Sequence, residues 1–251
     1  MTRFIMCGCN GKMGQMISQL VSQDADAEIV AGFDIWDDGH NSYPVFQNPK
    51  DCTVEADCLI DFSGVAAFEG MLEYCLDKKI PCVLCTTGLS EEQIEMAKKA
   101  SREIPVLRSA NMSLGINLLM KLLKEAAVVL ANAGFDIEIV EKHHNLKLDA
   151  PSGTALALAD SINEEFDNSY AYVYDRSSRR EKRPQKEIGI SAVRGGTIVG
   201  DHDVIFAGND EVITFSHSAY SKGVFGKGAI EAGKFLKGKP AGMYTMSDVI
   251  G

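Results

Sequence analysis

Short apolar runs alternate with amphipathic helical stretches through the first 110 residues, and that rhythm admits very few folds. Residues 3–7, 28–33, 58–62, 81–85 and 106–109 read as strands. Residues 13–22, 66–76 and 91–100 read as helices between them. Strand, helix and strand in regular succession make right-handed βαβ units, whose helices cover both faces of a parallel sheet. The expectation is a doubly wound parallel α/β domain.

The rhythm then changes. Residues 113–131 read as a long amphipathic helix opened by Ser113, 135–141 as a strand and 154–166 as a helix. Strand-like stretches follow at 187–193, 203–207 and 211–218, separated by Gly-Gly and Gly-Asn turns, which suits a mixed or antiparallel sheet. Residues 226–237 return to helix. The expected organisation is a domain at 1–110, completed by 222–251, and a second α+β domain with a mixed sheet at 111–221.

The first turn carries chemistry. Gly8, Gly11 and Gly14 stand in G-C-N-G-K-M-G between the first strand and the first helix. Missing side chains there let backbone N–H groups at a helix start approach a pyrophosphate. Asp34 follows the second strand, where a carboxylate accepts hydrogen bonds from the ribose hydroxyls of a dinucleotide. Gly8, Cys9, Asn10, Gly11, Lys12, Met13 and Asp34 are therefore the candidate cofactor turn, in a sheet of the Rossmann type. Cys85-Thr86-Thr87 and Ser109-Ala110-Asn111-Met112 end later strands and are expected to complete that site, with the Asn111 amide near the nicotinamide. The cofactor is NADH or NADPH. An acidic Asp34 favours NADH, and Lys12 inside the turn can meet a 2′-phosphate, so mixed use with a lean toward NADH is expected.

A second cluster lies in residues 138–155, E-I-V-E-K-H-H-N-L-K-L-D-A-P-S-G-T-A. His143, His144 and Lys147 follow an apolar strand, and Pro151-Ser152-Gly153-Thr154 then opens a helix. A helix start presents unpaired N–H groups and the positive end of a dipole, a natural seat for a carboxylate. Lys147, the hydroxyls of Ser152 and Thr154, and backbone donors near Gly153 would orient such a substrate. Histidine and lysine together also supply the proton that must accompany a hydride when C=C or C=N is reduced. The competing reading makes Ser152 a plain helix cap and both histidines surface residues.

Composition limits the partners. A net charge of −10 opposes non-specific attraction to nucleic acid or anionic membrane, so an anion site must be built locally. No apolar run approaches the roughly 20 residues of a membrane span. Seven cysteines scattered through apolar segments suit reduced, buried thiols, and Cys82-x-x-Cys85 lacks a convincing second ligand pair for zinc. No metal is expected. The start of the chain runs straight into a strand, so a cytoplasmic protein is expected. The basic stretch 176–186, with Arg179, Arg180, Lys182 and Arg183, reads first as a solvated loop, with a cofactor-phosphate or partner contact as the alternative.

The run 138–155 resembles the signature E-[IV]-x-E-x-H-x-x-x-K-x-D-x-P-S-G-T-A of the 4-hydroxy-tetrahydrodipicolinate (dihydrodipicolinate) reductases, without a mismatch, and the resemblance extends over the whole chain. It implies that His143 donates or accepts a proton, that Lys147 donates one, and that His144, Gly153 and Thr154 bind substrate. It also implies reduction of 4-hydroxy-tetrahydrodipicolinate, a small dicarboxylate, to tetrahydrodipicolinate in lysine and diaminopimelate synthesis, by a homotetramer. Cys85, where many relatives have glycine, and Lys12, where arginine is more usual, depart from the pattern on the cofactor side. A related dehydrogenase of another small acid, or a nucleotide-sensing protein without turnover, would keep the glycine turn but has no need of the full His-Lys-P-S-G-T run. Because the two clusters fall in different domains, hydride transfer leads us to expect hinge closure.

Overall fold

A computed structural model describes residues 1–251 and divides the chain into two units, Met1–Leu114 with Gly223–Gly251, and Gly115–Lys222. The first unit holds β1 (Thr2–Cys7), α1 (Lys12–Val21), β2 (Ala27–Phe33), β3 (Val45–Phe46), β4 (Cys58–Asp61), α2 (Phe68–Lys78), β5 (Cys82–Leu84), α3 (Glu91–Ala100) and β6 (Pro105–Arg108). The chain then passes through α4 (Leu114–Asn132) into the second unit, which holds β7 (Asp136–His143), α5 (Gly153–Glu164), β8 (Ala171–Tyr174), β9 (Glu187–Arg194), β10 (Gly200–Ala207) and β11 (Val212–Ala219). It returns with α6 (Gly223–Leu236), β12 (Gly242–Tyr244) and α7 (Met246–Ile250).

In the first unit seven parallel strands stand in the order β12-β6-β5-β4-β1-β2-β3, the expected doubly wound sheet. Central strands of such a sheet are apolar on both faces, because helices cover both. In β1, Phe4 and Met6 face one core with Ile17, Ala229 and Ile230, whereas Ile5 and Cys7 face the other with Phe68, Met71 and Leu72. Gly233 lets α6 come close to β1: a Cβ there would lie 2.5 Å from the Phe4 ring. Helix α3 begins where a capping box dictates, with Ser90 and Gln93 exchanging side-chain to backbone hydrogen bonds. All seven cysteines are free thiols, and burial pushes Cys7 and Cys58 well above the ordinary thiol range.

The second unit has a mixed sheet, β11-β10-β7-β9-β8, antiparallel on the β10 and β11 side of β7 and parallel on the β9 and β8 side. Buried and half-buried residues alternate along β7 and β10. Ile137, Ile139, Val204 and Phe206 turn inward against Leu123 and Ala127 of α4 and Leu158 and Ile162 of α5. Helices cover one face of this sheet.

Several sequence expectations need correcting. Strands β3, β8 and β12 and helix α7 were not anticipated; all are short, and β3 and β12 lie at sheet edges, where few apolar residues are required. Strand β10 begins at Gly200 rather than 203, because Gly-Asp-His reads as a loop although ladder pairing makes it strand. The basic stretch is not a uniformly solvated loop. Arg183 bridges Asp136 at 2.7 Å and Glu138 at 2.9 Å and donates to the carbonyls of Ile137 and Glu187, and Arg176 pairs with Glu187. Arg179, Arg180 and Lys182 remain exposed.

Candidate active site

On the first unit the glycine turn is shaped by what it lacks. Gly8 has φ +79°, and a Cβ there would lie 2.7 Å from the Phe62 carbonyl oxygen. A Cβ on Gly14 would lie 2.2 Å from the Gly8 carbonyl oxygen, so α1 can start this close to the turn only with glycine. Gly11 caps α1 without a side-chain hydrogen bond, and the first turn holds no acidic residue. The helix start is thus open to an anion.

Asp34 closes across the turn, accepting from the Asn10 N–H at 2.9 Å and the Ile35 N–H at 2.8 Å. Asn10 in turn donates to the Trp36 carbonyl at 2.5 Å and accepts from Asn41 at 2.6 Å. A cavity of about 750 Å³ opens beside this frame, lined among others by Gly8, Gly11, Asp34, Ile35, Trp36 and Ser63. These features fit a dinucleotide: a glycine cradle, an open helix start and a carboxylate at the end of β2.

The other residues expected on the cofactor side divide into those near the surface and those used internally. The Cys9 side chain is wholly buried and packs under Gly32, so only its backbone belongs to the turn. Met13 is half-buried. Lys12 is exposed and lines a groove with Gln15, His40 and Tyr43. Thr87 and Ala110 are exposed and Cys85 and Ser109 half-buried, whereas Thr86, Asn111 and Met112 are buried. The Asn111 side-chain oxygen accepts from the Ser113 N–H at 2.8 Å.

Sequence reasoning missed Asp61. Its buried carboxylate accepts from Thr86 Oγ1 at 2.6 Å and from Ser63 Oγ at 2.5 Å, joining the loops after β4 and β5. The signal was available as a polar residue ending an apolar strand on the ligand side of the sheet.

On the second unit, β7 places Glu141 and His143 on the same face by the two-residue period of a strand. His143 is 8% exposed, so it is not the surface residue of the competing reading. Its Nδ1 lies 2.6 Å from Glu141 Oε2. Across the ladder it faces Arg194 on β9, and the running register sets it beside Gly200 on β10, where a Cβ would come within 3.0 Å of His143 Nε2. Absence of a side chain keeps that nitrogen clear.

Glu141 is fully buried and is gripped by Arg194 through both oxygens at 2.7 Å, with the Ser152 N–H at 2.9 Å on Oε1. Burial pushes this carboxyl up, but hydrogen bonds from Arg194, His143 and Ser152 outweigh it and hold the group below the usual carboxylate range. His202, opposite Glu141, packs edge-on to His143 with ring centres 5.2 Å apart. Burial, and then the nearby His143, draw its imidazole down to about 4, so it is neutral at physiological pH.

Ser152 is both helix cap and anchor. Its Oγ accepts from the Ala155 N–H at 3.1 Å and meets His202 Nε2 at 3.0 Å, and the residue is 1% exposed. The expectation that this hydroxyl meets substrate therefore does not match its geometry, because it is used within the fold. Gly153 is exposed, and Thr154 and His144 are half-buried. Lys147 pairs with Asp149 at 2.8 Å, and that hydrogen bond holds Asp149 below its ordinary range. Glu141, Arg194 and His202 were not assigned roles from the sequence. Only Glu141 had a signal, as a charged residue on the apolar face of a strand beside His143.

Two family models match the chain, dihydrodipicolinate reductase N-terminus over residues 2–112 and dihydrodipicolinate reductase C-terminus over residues 115–250. A 4-hydroxy-tetrahydrodipicolinate reductase of Caldanaerobacter subterraneus is 54% identical, over 100% of this chain and 98% of the relative. One from Clostridium tetani is 49% identical, over 98% and 96%. Among solved structures, a dipicolinate-bound dihydrodipicolinate reductase from Paenisporosarcina superposes with a TM-score of 0.81 at 26% identity, over 98% of this chain and 97% of that one. A probable dehydrogenase from Thermotoga maritima, at TM-score 0.58 and 13% identity, shares the fold alone. With both halves matched and a glycine turn and a His-Lys run in their places, the chain belongs to the dihydrodipicolinate reductase family.

Proposed function

We propose that this chain reduces 4-hydroxy-tetrahydrodipicolinate to tetrahydrodipicolinate with His143 and Lys147 as its proton-handling groups. It is an NAD(P)H-dependent oxidoreductase of lysine and diaminopimelate synthesis. The observation that carries the assignment of roles is the Glu141–His143 pair, which leaves His143 Nε2 beside the clear space at Gly200. Bound reduced nicotinamide supplies the hydride. The chain's own residues supply the rest: His143 Nε2 holds or releases a proton, and the Lys147 ammonium offers both a proton and a charge for a substrate carboxylate. His144, Gly153 and Thr154 bind the dicarboxylate at the start of α5, the positive end of its helix dipole. The relative with dipicolinate bound supports a seat for a ring bearing two carboxylates.

The Gly8–Gly14 turn, Asp34 and the segments at 85–87 and 109–112 hold the dinucleotide. NADH is the preferred form, since Asp34 sits where a 2′-phosphate would be repelled and Ile35 and Trp36 beside it carry no charge. No helix is long and apolar enough to cross a membrane. A cytoplasmic homotetramer is the assembly we assign, with the uncovered face of the mixed sheet, where Val193 and Val212 are exposed, as its contact surface. The test is loss of nicotinamide absorbance with freshly generated substrate, run with NADH and NADPH side by side. Binding of NADH without turnover would overturn the enzymatic reading, and a higher kcat/KM with NADPH would overturn only the cofactor preference.

A further inference from the structure

A fully buried carboxylate is costly to desolvate, and an apolar pair of similar volume would pack the same space at least as stably. The Glu141–Arg194 pair therefore calls for a reason beyond stability. Its hydrogen bonds supply one. Through Oε2 the carboxylate meets His143 Nδ1, and through Oε1 it accepts the Ser152 N–H that starts α5. Arg194 Nη2 reaches past the carboxylate to the Asp149 carbonyl at 2.6 Å, and Nη1 donates to the Val193 carbonyl at 2.8 Å. One ion pair thus ties the end of β7, the end of β9 and the turn 149–152.

We propose that Glu141 and Arg194 are positioning residues that fix the proton-handling histidine and the substrate's carboxylate seat in one rigid register. An ionised carboxylate has only lone pairs, so the His143 nitrogen facing it must be Nδ1–H. That directs every proton exchange to Nε2, on the side left clear by Gly200. The bidentate guanidinium keeps the carboxylate ionised and its plane fixed. A lysine there makes one contact where arginine makes several. Neither residue touches substrate or cofactor in this role, and the inference rests on the reading of His143 as the proton-handling group.

The variants Glu141→Gln, Arg194→Lys, Arg194→Met and His143→Ala separate the possibilities. For Glu141→Gln we expect kcat to fall by roughly 10- to 100-fold, because a correctly held acid–base group is worth about that much or more. The dissociation constant for NADH, measured by fluorescence, should stay within about twofold, since that site lies on the other unit. The ¹⁵N shifts of the His143 ring should report loss of the single Nδ1–H tautomer. Arg194→Met should lower kcat similarly and raise KM for the dicarboxylate, and Arg194→Lys should restore part of both. If Glu141→Gln does not fold, the two arginine variants carry the test. Wild-type kcat with an unchanged tautomer in Glu141→Gln, or in both arginine variants, would overturn the proposal. Full activity in His143→Ala would instead remove the reading on which it stands.

Discussion

The parallel sheet is buried on both faces and its glycine turn is shaped by backbone contacts, whereas the mixed sheet has helices on one face and carries a cluster of charged and polar side chains at the end of β7. At the glycine turn the decisive atoms are N–H groups, and side chains are excluded by contacts as short as the 2.2 Å that a Gly14 Cβ would make. At the end of β7 the decisive atoms belong to Glu141, His143, Arg194, Ser152 and His202, drawn from three strands and a helix start. The first excludes side chains by shape. The second stores and orients charge, so its chemistry depends on pH and on single functional groups.

Substitutions at the two sites should accordingly fail in different ways. His143→Ala should show the largest effect, a loss of roughly 10²- to 10⁴-fold in kcat with NADH affinity retained; stopped-flow turnover and fluorescence titration on the same sample would check it. Next comes acid sensitivity. His202 binds no proton in the folded state until about pH 4 but does so near 6.5 once unfolded, so its contribution is intact above about 6.5 and is lost as pH falls toward 4. That loss amounts to roughly 3 kcal/mol. Urea unfolding at several pH values should show a flatter acid limb in His202→Asn.

Gly14→Ala should lose about 1–3 kcal/mol of stability, or more if the turn cannot yield, together with NADH affinity. Retained NADH affinity in that variant would break the contrast, by showing that the turn tolerates a side chain. Gly200→Ala is the mildest and sharpest probe. A methyl 3.0 Å from His143 Nε2 should lower kcat by about tenfold while melting temperature and NADH affinity barely change.

Much of the first unit was readable because its determinants are local. Strand, glycine turn and helix are contiguous, and the Ser90 and Gln93 capping box marks the start of α3 within four residues. Boundaries of β1, β2 and α1 differ from expectation by a residue because fraying and pairing settle the last positions. The second site was legible only in part. His143 and Lys147 stand in one run, but Arg194 lies 53 residues beyond Glu141, and Ser152 and His202 lie 50 residues apart. No local pattern links them.

The sequence by itself therefore determined the alternation that builds a doubly wound sheet, the glycine turn and the run 138–155 that carries the family resemblance. Each of these depends on neighbours within a turn or a strand, where propensity and spacing act directly. Only the tertiary structure decided that Ser152 is an internal cap, that Arg183 pins the far face of the mixed sheet, and that Asp61 and Glu141 are buried carboxyl groups with specific partners. Burial of a charge is settled by what the ladder register sets against it, and register is a property of strands far apart in the chain.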